Sequence, residues 1–211
     1  MNLFDSKYAL FEKIQTSINN DKVINAMSSV PREKFVRSQD LVKSYEDVAL
    51  PIEFNQSISQ PSMIATMLNS LNISKFDNVL EIGTGSGYQA SILSNLSDKV
   101  TTTECIAGLY KLAKSRLIDL GYSSTAIVSV EVGEWGSESN APYDAIIVSA
   151  ACPLIPMQLV DQLSKFGRMV APVVGSSGQE LILISKSPSG MSIKTIGHCK
   201  FVPLKFNEKM F

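Results

Sequence analysis

From Asp77 onward the sequence alternates short apolar runs with stretches of helical periodicity, and this alternation limits the possible folds more than any other feature. Strand, helix, strand at this spacing indicates parallel pairing through right-handed crossovers. The last three apolar runs have no helix between them, so one edge of the sheet should be antiparallel. The predicted strands are 79–82, 100–104, 126–132, 145–148, 168–172, 180–184 and 191–201, and the predicted helices are 88–96, 107–120 and 156–163.

The N-terminal part of the chain follows a different pattern. Apolar residues at helical intervals between Lys7 and Met27 predict two short amphipathic helices that break near Asn19 and Asn20. Residues 38–60 are mixed in character and predict irregular structure, and Pro61 suits the first turn of a third helix. We therefore expect a doubly wound α/β sheet with an N-terminal helical extension.

Composition and charge narrow the class of protein. The chain has 211 residues, enough for one compact domain, with 19 Lys plus Arg against 20 Asp plus Glu. This balance argues against a nucleic-acid partner, whose phosphates are normally met by a basic surface. Neither a signal peptide nor an apolar run long enough to cross a bilayer is visible, so we expect no membrane association. Cys105, Cys152 and Cys199 lack metal-ligand spacing and predict reduced thiols, no metal site and a cytoplasmic protein.

A glycine-rich turn follows the first predicted strand of the sheet. Glu81-Ile82-Gly83-Thr84-Gly85-Ser86-Gly87 has the spacing G-x-G-x-G, whereas a pyrophosphate-binding turn has G-x-G-x-x-G. Glu104 ends the second strand, where a carboxylate can accept hydrogen bonds from both hydroxyls of a ribose. Glu81 would add negative charge, which suits a sulfonium cation, although it can instead cap backbone groups of the turn. These features favour S-adenosylmethionine as cofactor, with NAD or no ligand as the alternatives.

Several blocks along the chain carry a more specific signal. They are Val30-Pro31-Arg32-Glu33-Lys34-Phe35-Val36, Tyr45-Glu46-Asp47, Leu50-Pro51-Ile52, Gln56-Ser57-Ile58-Ser59-Gln60-Pro61, 141–148, 155–163 and Phe201-Val202-Pro203-Leu204. Together they resemble the protein-L-isoaspartate O-methyltransferase family over nearly the whole chain. The Gln-Ser-Ile-Ser block and the terminal Phe-Val-Pro-Leu block are far more specific than the glycine turn, which occurs in many methyltransferases.

The resemblance implies a fold and an activity. The fold is an α/β, doubly wound, mostly parallel sheet of the Rossmann-like methyltransferase type with antiparallel C-terminal edge strands. Residues 1–60 would form a helical and substrate-cleft segment, and 61–211 the S-adenosylmethionine-binding domain. The activity is methyl transfer to the α-carboxylate of L-isoaspartyl residues in damaged proteins or peptides, which begins their repair. The implied partners are such proteins, with no nucleic acid or membrane, and we expect a monomer.

The same resemblance implies the substrate-side residues. Ser59 would place its hydroxyl beside the acceptor carboxylate, and Ser57 can share that role. Ile58, Phe201 and Val202 would contact the substrate, the last two through backbone groups as an edge strand does. Read without the resemblance, Ser59 is a candidate N-cap of the helix that follows. His198 is expected to be a partly exposed strand residue, because an ionised carboxylate needs no general base.

The cofactor-side residues implied are Glu81, Gly83, Thr84, Gly85, Ser86, Gly87, Glu104, Cys105 and Glu134. The residue that meets the adenine amino group is not uniquely placed: Glu134 requires a short deletion, and an ungapped match gives Val132 instead. Glu131 should face solvent on an alternating strand. The chain also departs from the family at Glu53 and Asn55, where glycine is usual, and a Glu53 carboxylate in the cleft would repel an anionic acceptor.

These departures keep other functions open. A diverged relative would methylate a different carboxylate on a protein or a small molecule. A module that binds the cofactor without turnover would have no need of Ser59. An NAD-dependent oxidoreductase is disfavoured by the glycine spacing.

Overall fold

The computed structural model describes residues 2–122 and 124–205, so the end of the predicted cofactor domain, 206–211, lies outside the described residues. The described chain forms one seven-stranded sheet, a separate two-stranded ladder and six α-helices. The helices are α1 (Leu3–Ile18), α2 (Asp21–Ser29), α3 (Pro61–Leu71), α4 (Tyr88–Leu96), α5 (Ala107–Asp119) and α6 (Met157–Asp161). The strands are β1 (Leu50–Pro51), β2 (Ser57–Ile58), β3 (Asn78–Ile82), β4 (Lys99–Glu104), β5 (Ala126–Ser129), β6 (Tyr143–Val148), β7 (Leu163–Gly175), β8 (Gly178–Ser187) and β9 (Gly190–Cys199).

The strand order in the large sheet is β5-β4-β3-β6-β7-β8-β9. Pairing is parallel from β5 through β7 and antiparallel from β7 to β9. The chain builds outward from β3 in one direction and, after β5, returns to the other side of β3 with β6. This reversal opens a crevice at the carboxyl ends of β3, β4 and β6, which is where ligands bind in such sheets. The predicted fold class is therefore confirmed.

The N-terminal helices share their core with the sheet. Phe11, Ile14 and Met27 belong to the same buried cluster as Val79 and Ile92. Helices α1 and α2 break between Asn19, in the left-handed conformation, and Asn20, whose side chain accepts a hydrogen bond from the Val23 N–H. The predicted break near these two asparagines is confirmed, because both can satisfy backbone groups at a helix end.

The elements differ from the predicted ones at a few ends. Strand β5 stops at Ser129, not at residue 132, because the chain turns at residues 131–134, where the Glu134 N–H donates to the Glu131 carbonyl at 3.0 Å. Strand β7 is much longer than predicted and pairs with β8 over its whole C-terminal half. The stretch 38–60 contains an antiparallel ladder, with Leu50 opposite Ile58 and Pro51 opposite Ser57. We call residues 50–58 the hairpin.

None of the helices in the described part of the chain is long and apolar enough to span a membrane.

Candidate functional site

A cleft of about 900 Å³, measured out to its open mouth, lies at the carboxyl ends of the parallel strands. Its walls include the hairpin with the residue after it, the glycine turn, the end of β4, the residues after β6, the loop after β5 and residues 202–205. The site residues predicted from sequence that line it are Ser57, Ile58, Ser59, Glu81, Gly83, Thr84, Gly85, Ser86, Glu104, Cys105, Glu134 and Val202. Gly87 and Phe201 are not among its lining residues.

The glycine turn is bound to the end of β4. The Gly83 and Thr84 N–H groups both donate to the Thr103 carbonyl, at 2.9 and 3.1 Å. Gly83, Gly85 and Gly87 all have positive φ, which favours glycine at each position. A Cβ at Gly83 would lie 3.7 Å from the Ser149 side chain, an ordinary van der Waals contact, so the positive φ and not crowding favours glycine here. The turn therefore presents bare backbone to the cleft.

Glu104 holds the turn from the side of β4. Its residue is only 5% exposed, and its carboxylate accepts hydrogen bonds from the Gly85 N–H and the Ile106 N–H, both at 2.9 Å. A carboxylate oxygen has two lone pairs, so each oxygen keeps capacity for one more donor. The pair of hydroxyls of a ribose matches that remaining capacity.

Glu81 is buried beneath the turn. Its carboxylate accepts hydrogen bonds from the Thr102 hydroxyl at 2.6 Å and from the Gln89 amide at 2.9 Å. Burial raises the pKa of Glu81 from 4.5 to about 8, against the opposing effect of these two hydrogen bonds. The group is therefore mostly neutral at pH 7, which corrects the expectation of a negative charge. It holds side chains of β4 and α4, not the backbone of the turn.

The other polar side chains of the turn form hydrogen bonds within the protein. The Thr84 and Thr102 hydroxyls lie 2.7 Å apart, and the Ser86 hydroxyl accepts from the Tyr88 N–H at 3.3 Å. Cys105 is half-buried at the edge of the cleft, and burial raises the pKa of its thiol. It therefore offers the cleft a neutral thiol.

The loop after β5 forms the far end of the cleft. Glu131, Glu134 and Trp135 all line it, and the Glu134 carboxylate accepts a hydrogen bond from the Glu131 N–H at 3.0 Å. Glu131 is exposed, as expected, but it does not lie on an alternating strand, because β5 has already ended at Ser129, and it also lines the cleft. Both glutamates are exposed and face the same end of the cleft.

The acceptor side is formed by Ser57, Ile58 and Ser59. A buried arginine fixes the backbone here: Arg32 donates to the Ser59 carbonyl and to the Ser44 carbonyl, each at 2.9 Å. The Ser59 hydroxyl makes no hydrogen bond with any residue that the structure describes. The N-cap of α3 is Gln60 and not Ser59, so the alternative role of Ser59 as a helix cap is wrong.

The C-terminal strip, residues 200–205, crosses the top of the sheet. The Phe201 N–H donates to the Gln179 side chain at 2.6 Å, and the Phe201 carbonyl accepts from the same side chain at 3.0 Å. The Val202 carbonyl accepts from the Ala151 N–H at 2.8 Å. These backbone groups are therefore already paired within the chain, which differs from the open edge expected for binding a peptide.

Two residues lie outside the cleft. Glu53 is half-buried and does not line it, and its carboxylate opposes the lowering of the Arg116 pKa that burial causes. The Glu53 carboxylate is therefore not placed in the cleft to repel an anionic acceptor. His198 is an exposed strand residue, as expected. It lies on β9 opposite Glu180 and does not line the cleft.

Several lining or supporting residues were not singled out from the sequence. Trp135, the single tryptophan, donates from its indole N–H to the Lys205 carbonyl at 3.5 Å and joins the β5 loop to the C-terminal strip. The Gln89 amide bridges Glu81 and the Ser149 hydroxyl at 2.9 and 2.8 Å. Arg32 lies in the block 30–36, one of those that resemble the methyltransferase family. That resemblance was the one signal in the sequence for its importance. Within residues 2–122 and 124–205, no group of three or more His, Cys, Asp or Glu side chains is placed to hold a metal ion.

Comparisons with known proteins agree on one family. The family model described as Protein-L-isoaspartate(D-aspartate) O-methyltransferase matches residues 5–209. The chain is 40% identical over 194 residues to a protein-L-isoaspartate O-methyltransferase of Koribacter versatilis, covering 92% of this chain and 87% of the relative. A relative of the same name from Dictyoglomus thermophilum is 44% identical over 188 residues, covering 89% of this chain and 85% of the relative.

Solved structures are also similar. One protein-L-isoaspartate O-methyltransferase matches with a TM-score of 0.84 at 27% identity over 93% of this chain, which spans 65% of that protein's length. A second, from Plasmodium falciparum and described as putative and in complex with S-adenosyl-L-homocysteine, has a TM-score of 0.81 at 24% identity. It covers 94% of this chain and 98% of its own, and at this identity it supports the fold alone.

Proposed function

Because the chain belongs to the protein-L-isoaspartate(D-aspartate) O-methyltransferase family, we propose that it methylates the α-carboxylate of L-isoaspartyl residues in damaged proteins and peptides. One observation carries the proposal beyond family membership. The glycine turn, Glu104 and Ser59 come from distant parts of the sequence and line one cleft at the carboxyl ends of the parallel strands. The same cleft can thus hold the methyl donor, beside the glycine turn and Glu104, and the acceptor, beside Ser59.

The residues of the cleft fit S-adenosylmethionine as cofactor. Glu104 keeps two acceptor positions for a ribose, and the glycine turn offers backbone without side chains. Glu134 is proposed for the adenine amino group, with Glu131 as the competing candidate at the same end. S-adenosylmethionine supplies an electrophilic methyl group on a positively charged sulfur.

The protein's own task is alignment and the exclusion of water. The acceptor carboxylate is ionised at neutral pH and attacks through its own oxygen, so no residue has to remove a proton. Ser59 has a hydroxyl free of partners within the described chain, and we assign it the hydrogen bond that positions the carboxylate. Ser57 and Ile58 line the same side, and Val202 closes the opposite wall. Holding the carboxylate oxygen in line with the methyl group accelerates the transfer, because the two reactants are already aligned when bound.

The substrate approaches from the side of the hairpin and the C-terminal strip. Since the backbone of Phe201 is paired with Gln179, we propose that Phe201 and Val202 contact the substrate mainly through their side chains. The partners are proteins or peptides that carry isoaspartate. A cytoplasmic monomer is also proposed, and its three cysteines are free thiols, in keeping with that location. Light scattering of the purified chain tests the oligomeric state.

Methyl transfer to a synthetic peptide tests the proposal directly. Labelled S-adenosylmethionine is incubated with a peptide containing one L-isoaspartate and, separately, with the same peptide containing normal aspartate. Base-labile label is expected in the first peptide and not in the second. A protein that binds the cofactor and labels neither peptide would be a diverged relative with another acceptor, and tight NAD binding would remove the cofactor assignment.

A further inference from the structure

The two strands of the hairpin are joined by a turn at Glu53–Asn55 whose backbone conformation its residue types do not favour. Phe54 and Asn55 both adopt the left-handed conformation, with φ of 57° and 56°. The Ile52 N–H donates to the Gln56 carbonyl at 2.8 Å and the Gln56 N–H donates to the Glu53 carbonyl at 3.3 Å, so the turn is closed. Asparagine tolerates this conformation, but a bulky phenylalanine is an outlier there. Something outside the turn must therefore hold Phe54 in place.

Gly108 provides that contact. It is the second residue of α5, and a Cβ built on it would overlap Phe54 Cζ and lie 2.5 and 2.7 Å from the two Cε atoms. The Phe54 ring therefore points at the helix backbone in a notch that exists only because residue 108 has no side chain. The Phe54 residue is 53% exposed, so its ring meets the notch on one side and solvent over much of the rest.

The contact sets where the hairpin lies relative to the cleft. On one side Ile52 reaches the glycine turn, with its Cδ1 3.7 Å from the Cβ position of Gly85. On the other side Phe54 reaches α5, which starts just after Glu104. Ser57, in strand β2 of the hairpin, and Ser59, directly after it, line the cleft. The hairpin thus contacts the protein on both sides of the donor site. Its position determines where the Ser57 and Ser59 hydroxyls lie.

We infer that Phe54 and Gly108 form a positioning pair that holds the acceptor side of the site over the donor side. Neither residue lines the cleft, and both act through the hairpin. The inference rests on the proposed function, in which Ser59 aligns the acceptor carboxylate. It also assigns a use to the strained turn, because the seated ring holds Phe54 in a conformation that it would otherwise leave.

Gly108→Ala is the sharpest test, because it separates stability from activity. Alanine is the better helix former, so the melting temperature should not fall. The new methyl group displaces the Phe54 ring, and kcat/KM for the isoaspartyl peptide should drop about ten- to a hundredfold through misalignment. Phe54→Asn removes the ring and keeps a residue suited to the turn, and it should cause a similar loss. The matched control is Gly197→Ala in β9, where a Cβ meets nothing within 4 Å, and it should leave the rate unchanged.

The double variant decides whether the two residues act together. With the ring gone, Gly108→Ala has nothing to displace, so the double variant should be no slower than the slower single variant. Losses that multiply, or a Gly108→Ala protein as fast as the parent, would overturn the pairing.

Amide hydrogen exchange gives a readout that needs no substrate. Exchange at the Ile52 and Gln56 N–H groups should accelerate in both single variants and not in Gly197→Ala. If the unaltered protein fails to methylate the isoaspartyl peptide, the proposed function fails while the exchange rates still judge the pair. Unchanged exchange at both amides would contradict the positioning role even in an active enzyme.

Discussion

At the scale of single residues, the two buried carboxylates at the ends of β3 and β4 differ in what surrounds them. Glu104 accepts from two backbone N–H groups, while Glu81 accepts only from the side chains of Thr102 and Gln89. The sequence places both at strand ends beside the glycine turn and predicts their presence in the site. It does not reveal the partners, because Thr102 and Gln89 meet Glu81 only after β4 and α4 pack around it.

The raised pKa of Glu81 makes stability depend on pH. Above 4.5 the unfolded chain ionises this group, whereas the folded chain keeps it neutral until about pH 8. Its contribution to the free energy of unfolding is therefore full below pH 4.5 and is lost as the pH rises through this window. Glu81→Gln, neutral at every pH, should lose less stability between pH 5 and 8 than the parent, as measured by urea denaturation. Exposed Glu138→Gln is the control, and parallel profiles for parent and Glu81→Gln would contradict the burial argument.

Ser59→Ala should lower kcat by about ten- to a hundredfold, the effect of losing one positioning hydrogen bond worth roughly 1.4–3 kcal/mol. The affinity for S-adenosylhomocysteine should stay nearly intact, because the hydroxyl aligns the acceptor and does not hold the donor. Steady-state kinetics on the isoaspartyl peptide and calorimetry together make the measurement. Full activity in this variant would keep the function and remove the role given to Ser59.

The two ends of the cofactor site should differ in their sensitivity to substitution. Glu104→Ala removes both ribose acceptors at roughly 1.5–3 kcal/mol each and should strongly weaken S-adenosylhomocysteine binding in calorimetry. Glu134→Ala should weaken it less, and more than Glu131→Ala. The reverse order for the last two would move the adenine contact to Glu131, and unchanged affinity in Glu104→Ala would take Glu104 out of the site.

At the scale of elements, the strands and helices of the sheet were predictable and the hairpin was not. The apolar runs of β3 and β6 and the β-branched run of β4 are strong signals for buried strands, and apolar residues of α4 and α5 recur at helical spacing. Strands of two residues, such as β1 and β2, are too short for any period to show. The over-long prediction for β5 failed for a local reason, since the chain turns at residues 131–134 and Gly133 within this turn has positive φ.

Helix α3 depends on a cap from outside its own segment. The Asp47 carboxylate accepts a hydrogen bond from the Ser62 N–H at 2.9 Å, whereas the side chain of Gln60, the N-cap, caps no backbone N–H of the helix. Burial acts to raise the pKa of Asp47, but hydrogen bonds with Ser62 and Gln60 outweigh it and the pKa is lowered below 3.8. The stabilisation by this carboxylate is therefore present above pH 3.8 and lost as the pH falls below it.

Asp47→Ala should accordingly lower the free energy of unfolding at pH 7 by about 0.5–2 kcal/mol, the usual effect of removing a helix cap. The difference from the parent should shrink in acid, as followed by denaturant titrations at pH 7 and pH 3. Glu46→Ala, at an exposed neighbour, provides the control. A difference that stays constant down to pH 3 would show that the carboxylate is not the cause.

At the scale of the whole molecule, the strand order explains where the site lies. The alternation of strands and helices predicts parallel pairing and a site at the carboxyl ends of the strands, but it does not predict that β6 lies beside β3. The closing walls were not predictable either, because Arg32, Gln179 and Trp135 join segments far apart in the chain. Such contacts have no local period or spacing from which to predict them.

Ligand-induced stabilisation tests the whole arrangement at once. A ligand that binds only the folded chain stabilises it by about 2.7 kcal/mol at a hundred times its Kd. S-adenosylhomocysteine should therefore raise the melting temperature of the parent protein by several degrees, and NAD at the same concentration should not. A larger shift with NAD would contradict the cofactor assignment, whatever the fold.

The C-terminal strip also has a consequence for how the protein is made. Residues 200–205 supply one wall of the cleft, and the hairpin, translated some 150 residues earlier, supplies another. A ribosome that has reached Cys199 has already produced every strand of the sheet, yet the Phe201 and Val202 contacts with Gln179 and Ala151 are still missing. The nascent chain can thus fold its core before it has a closed cleft, and this wall of the cleft forms only after residues 200–205 have emerged.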